Sequence, residues 1–96
     1  DNWRRNRARI EAFRAFAQER GNSPPALAIA WTLAQGPHLV PIPGTRNAAH
    51  VADWAGASEI SLGPADLAEI DRILPVGWAY GDRYNNEQAS TVERYC

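Results

Sequence analysis

Lysine is absent from this chain of 96 residues, so all ten of its basic residues are arginine. A catalytic pair in which an ammonium group tunes the pKa of a neighbouring acid therefore cannot be assembled from these residues alone. Cysteine is nearly absent too. The single Cys96 has no partner for an internal disulfide, and no stretch resembles a secretion signal or a membrane span, so a reducing cytoplasm is the expected setting. An excess of charge of either sign is also lacking. A formal net charge of −1 supplies no overall field to draw the chain to nucleic acid or to a membrane surface. The two histidines, His38 and His50, are not grouped with other ligands at metal spacing, and no metal site is expected.

The charges that are present are unevenly placed. Arg4, Arg5, Arg7, Arg9, Arg14 and Arg20 crowd the start, whereas Asp53, Glu59, Asp66, Glu69 and Asp71 make a later region acidic. From Trp3 to Arg20 the residues Ile10, Phe13, Phe16 and Ala17 recur at helical spacing, and Gly21 supplies the stop. Glu11 and Glu19 interrupt the positive charge and no binding motif surrounds it, so the arginines read as a solvated helix face rather than a nucleic-acid arm. Ser23 is a good N-cap with Pro24 at the first helical position, and Leu27, Ala28, Ala30, Trp31 and Ala34, widened by Ile29 and Leu33, predict a largely buried second helix that Gly36-Pro37 ends. Leu67, Ile70, Ile73 and Leu74 predict another, opened by Gly63-Pro64 and closed by Pro75. Its Asp66 and Glu69 sit where the helix dipole favours acids, as capping charges rather than a catalytic pair. Beyond Val76 the periodicity is lost, and residues 77–84 mix aromatic and turn residues as a packed surface tail does.

Between these helices lies the stretch around which the chain is organised. Leu39, Val40 and Ile42 are too few for a helix and lie between Gly36-Pro37 and Pro43-Gly44, which predicts a buried β-strand from Leu39 to Ile42. A lone strand leaves two rows of backbone donors and acceptors without partners, so the chain is expected to be the last part of a larger domain. Thr45, Arg46 and Asn47 then offer a hydroxyl, a guanidinium and a capping amide at the start of a helix whose buried side Ala48, Val51 and Ala55 would carry, with Thr45 or Asn47 as cap. Such a combination can hold a phosphate. Ordinary turn chemistry is the commoner reason for Gly, Thr and Asn at such a place.

The run VPIPGTRNAAH follows SPPALAIAWTLAQGP and precedes GASEISLGPADLAEIDRILP, and the three together resemble the C-terminal end of an aldo/keto reductase. The resemblance covers nearly the whole chain. It implies an α/β fold, the C-terminal fragment of a (β/α)8 TIM barrel, mostly helical with one clear β-strand, occupying residues 1–96 as a partial domain. It implies carbonyl reduction by the complete protein, with a nicotinamide dinucleotide and a small carbonyl compound as partners and neither nucleic acid nor membrane. The family's catalytic Asp, Tyr, Lys and His set lies in the half that is not here, so no catalytic residue is assigned, Tyr80, Tyr84 and Tyr95 included, and the chain alone is expected to be inactive.

What the resemblance carries over is the cofactor end. It implies Gly44 and Thr45 for close backbone and hydroxyl contact with the adenosine phosphate, Arg46 for charge, and His50 where relatives often have a basic residue. Where relatives commonly have Glu-Asn facing the adenine, this chain has Asp53-Trp54, a shortened acid and a ring that could stack on the base in place of a carboxamide. Arg46 can make paired charge-assisted bonds to a 2′-phosphate, which leans the cofactor toward NADP(H). The alternative is a small helical interaction module without enzyme activity.

Overall fold

The structure is a computed structural model that describes residues 1–91. Tyr95 and Cys96, weighed above as a catalytic tyrosine and a disulfide cysteine, lie outside the described residues. The elements in order are α1 (Asn2–Glu19), α2 (Pro24–Ala34), α3 (Ala48–Trp54), a 3₁₀ turn (Ala57–Glu59), α4 (Pro64–Ile73) and the single-turn α5 (Asn86–Ala89).

Each longer helix begins and ends where local chemistry dictates. Asp1 accepts from the Trp3 N–H at the start of α1. At its end the Gly21 N–H donates to Gln18 O and the Asn22 N–H to Ala17 O, turning the chain sharply. Ser23 Oγ then accepts from the Ala26 N–H at 3.2 Å, with prolines filling the first turn of α2. In α4 the third-position Asp66 reaches back, its Oδ2 accepting the Gly63 N–H at 3.3 Å.

The core is small and lies where α1, α2 and α4 meet. Phe16 and Ala17 of α1, Leu27 of α2, and Ile70 and Ile73 of α4 are buried together, with Phe13, Trp31, Leu62 and Leu74 packed around them. No polar or charged residue is buried among the described residues. Arg20 closes the side of this core, its guanidinium carbon 3.8 Å from the Phe16 ring centre and its Nε 2.7 Å from Asp66 Oδ1.

The expected β-strand does not form, and the α/β reading of this chain is corrected: among the described residues there are helices and one 3₁₀ turn, with no strand. Leu39 and Pro41 are half-buried while Val40 and Ile42 are exposed, so the alternation of an extended segment is kept without a ladder. The reason is the absence of a neighbouring backbone edge, compounded by Pro41 and Pro43, which have no N–H to donate. Two helix faces also differ from expectation. Val51 is 48 % exposed and α3 buries no residue, because α3 packs chiefly against α2 on one side. Ile10 is exposed because the N-terminal half of α1 runs past the core.

Candidate functional site

The extended segment ends at Gly44, and the next three residues build the entrance to α3. Asn47 is its N-cap, with Oδ1 accepting the Ala49 N–H at 2.9 Å. Thr45 supports the cap from outside the helix, its Oγ1 accepting the Asn47 N–H at 3.1 Å. The same hydroxyl lies 3.2 Å from His50 Nδ1, so the residue two before the cap and the third residue of the helix converge on one point. Thr45, Asn47 and His50 thus form one polar cluster at the head of α3, fully on the surface.

The other expected site residues stand around that cluster. Arg46 is exposed and takes part in no ion pair among the described residues, which leaves its fork of donors facing solvent. Gly44 is not in the left-handed region, and a Cβ placed there would meet nothing within 4 Å, so the local fold does not itself require glycine. One turn along, the His50 and Trp54 rings are 6.3 Å apart at 41°, with Trp54 half-buried beneath. Asp53 is exposed on the same side of the helix, and its carboxylate takes part in no ion pair among the described residues.

Elsewhere the carboxylates serve structure. Asp66 is held below the usual carboxylate range, first by the Arg20 hydrogen bond and then by the Gly63 N–H, and Glu69 is lowered likewise by its two bonds from Arg72. Asp66 therefore has the expected capping role, and Glu69 is instead the partner of Arg72. A surface cleft lined by Arg20, Asn22, Glu59, Ser61, Leu62 and Asp66 shares no residue with the Thr45 cluster, and its Arg20 and Asp66 satisfy one another. Among the described residues no group of three His, Cys, Asp or Glu could hold a metal ion, and no helix is long and apolar enough to cross a membrane.

The Thr45 to His50 bond does not follow from the sequence reading, which gives each of the two residues its own place on the phosphate. Its signal is a hydroxyl residue two before an Asn cap together with a polar side chain at the third helical position. The cap geometry brings those two positions together.

The head of α3 thus carries an exposed polar cluster beside a guanidinium. A model of the aldo/keto reductase family matches residues 1–75, and the chain belongs to that family of oxidoreductases. It is 36 % identical over 86 residues to probable aldo-keto reductase 1 of Glycine max, covering 90 % of this chain and 25 % of that protein. It is 30 % identical over 84 residues to the aldo-keto reductase yakc [NADP(+)] of Schizosaccharomyces pombe, covering 88 % of this chain and 25 % of that protein. The chain thus spans about a quarter of the length of these curated relatives. No solved structure matches it at comparable significance.

Proposed function

We propose that this chain is the cofactor-adenosine-binding part of an NADP(H)-dependent aldo/keto reductase, with residues 44–54 gripping the 2′-phosphate end of the dinucleotide. The observation that carries the reading is the convergence of the Thr45 hydroxyl and His50 Nδ1 at 3.2 Å, beside an Arg46 whose guanidinium has no ionic partner among the described residues. The residues fit the group. A phosphate needs hydroxyl and nitrogen donors together with a cation, and a guanidinium suits its oxygens bidentately. The unneeded glycine at Gly44 leaves the backbone there open to close approach. Family membership weighs against the alternative of an interaction module without enzyme chemistry. The relative whose name carries NADP(+) supports the choice of cofactor.

In this reading Thr45, Arg46 and His50 bind the adenosine phosphate, while Trp54 offers its ring to the adenine and Asp53 an acceptor beside it. The chemistry that the bound dinucleotide supplies in the complete protein is hydride delivery to a carbonyl carbon. The proton donor belongs to residues outside this chain, which has no lysine to tune one.

The test is Arg46→Ala in a full-length aldo/keto reductase carrying residues 1–96, with NADPH and NADH binding measured by calorimetry. A charge-assisted hydrogen bond contributes about 1.5–3 kcal/mol, so NADPH should bind roughly ten- to a hundredfold more weakly. NADH, which lacks the 2′-phosphate, should be affected far less. Equal losses for both would make Arg46 a holder of the fold or of the shared diphosphate, and no loss for either would return the cluster to turn chemistry.

A further inference from the structure

The arginine-rich start of α1 carries more than a solvated face. Asn6, the one half-buried residue in the first half of α1, makes two hydrogen bonds to the main chain of Tyr80. Its Nδ2 donates to Tyr80 O at 3.0 Å, and its Oδ1 accepts the Tyr80 N–H at 2.8 Å. The side-chain amide thereby pairs with both main-chain groups of one residue as a neighbouring strand would, at a residue that belongs to no helix. Two arginines of α1 add to the hold, Arg5 next to Asn6 on the same segment and Arg9 one turn further on at the end of α4. Arg5 lies over the Tyr80 ring at 4.7 Å, and Arg9 Nη1 donates to Ile73 O at 2.7 Å, capping the C-terminus of α4 ahead of the segment.

The segment between is joined at both ends by left-handed glycines. Gly77 has φ +76 and Gly81 φ +95, so the intervening Trp78, Ala79 and Tyr80 are set off by two positions where an L side chain is strained. Asn2 packs against Gly81 closely enough that an added Cβ would come within 2.8 Å of its Nδ2. Apolar burial is limited here: Pro75 and Trp78 are half-buried, Val76 is fully exposed and Tyr80 is 51 % exposed, and none of the four belongs to the core cluster. A segment held by polar contacts at a few points, bounded by hinges and outside the core, opens at lower cost than the helices beneath it.

We propose that residues 77–81 form a strap latched to α1 by the Asn6 amide, which opens and closes as one unit between its two glycines without disturbing the helical core. The latch is specific to the geometry of Asn6, because both hydrogen bonds need one donor and one acceptor on the same planar group. Opening frees the Tyr80 peptide and uncovers Asn2, Arg5 and Asn6 together, and Arg9 stays on α4 as the fixed end.

The experiment is residue-resolved amide exchange by NMR on the full 96-residue chain, for the natural sequence, for Asn6→Ala and for Gly81→Ala. The two substitutions attack the latch from opposite sides, so that a local defect in α1 cannot explain both. The Tyr80 amide should exchange roughly tenfold more slowly than in a free peptide, the protection expected of the hydrogen bond that Asn6 accepts. Either substitution should return it to the free-peptide rate while the amides of Phe16, Leu27 and Ile70 keep theirs. An unprotected Tyr80 in the natural sequence overturns the proposal, and so does a common loss of protection at Tyr80 and in the core.

Discussion

Arg20 shows how much one exposed side chain can organise. It covers the face of Phe16 and bonds to Asp66, tying the end of α1 to the first turn of α4. The bond lowers the Asp66 carboxyl, so its charged form is favoured in the folded chain relative to the unfolded one. A group shifted in that direction stabilises the fold above its unfolded pKa, and the contribution is lost as pH falls through the lower, folded value. Glu69 is shifted the same way by Arg72, and both pairs are wet enough that screening keeps their effects modest. The thermal midpoint should therefore fall as the pH drops below roughly 4, the ordinary carboxylate range. Asp66→Asn should lower the midpoint at pH 7 and flatten the acid limb, followed by circular dichroism from pH 7 to 2. An acid limb as steep as that of the natural chain would mean that other carboxylates carry it. At this scale the sequence was readable only where partners are close along the chain: the caps at Ser23 and Asn47 follow from residue type, whereas Arg20 and Asp66 are 46 positions apart and no pattern links them.

Caps that look alike serve elements of different weight. Ser23 caps α2, which places Leu27 in the core, and Asn47 caps α3, which has seven residues and buries none. A capping side chain contributes about 0.5–2 kcal/mol, but only a helix coupled to the core passes the loss to the whole fold. Ser23→Ala should lower global stability by about 1 kcal/mol in urea titration. Asn47→Ala should leave the midpoint unchanged and lower exchange protection only within α3. Equal shifts would show that α3 is coupled to the core after all. The spacing that predicted α1, α2 and α4 worked because apolar periodicity and Gly or Pro stops act locally, and it overstated the burial of α2 and α3 because burial depends on what lies opposite. Ala28 and Ala34 of α2 are exposed. The single turn of α5 carries no apolar repeat, which is why periodicity passed over it.

For the molecule as a whole, the segment between α2 and α3 is the weak place. Val40 is 81 % and Ile42 93 % exposed, on a stretch whose backbone has no sheet partner among the described residues. Exposed apolar side chains on unpaired extended backbone favour association between chains. The 96-residue chain should show a weight-average mass that rises with concentration in analytical ultracentrifugation, and Val40→Lys combined with Ile42→Lys should suppress the rise without lowering the thermal midpoint. An unchanged rise in the double variant would place the sticky surface elsewhere. The strand was misread for a reason of scale: composition records that a segment suits an extended, covered environment, but a strand exists only when a second backbone edge is supplied. Within the Thr45 cluster the Asn47 cap was legible for the opposite reason, since it depends on residue type at a helix start, whereas the Thr45 to His50 bond was not.

The corner at residues 20–23 sets the order of events when the chain folds. It brings α1 and α2 face to face after a handful of residues, so the two can collapse into a helical hairpin with almost no chain to close. Helix formation itself takes on the order of a microsecond or less. Ile70 and Ile73 come to that hairpin only after some forty further residues, and the entropy of closing that loop falls before their burial repays it. The docking of α4 should then be the slow step, and loss of the Arg9 or Arg20 contact that holds it should speed unfolding more than it slows folding in a denaturant chevron.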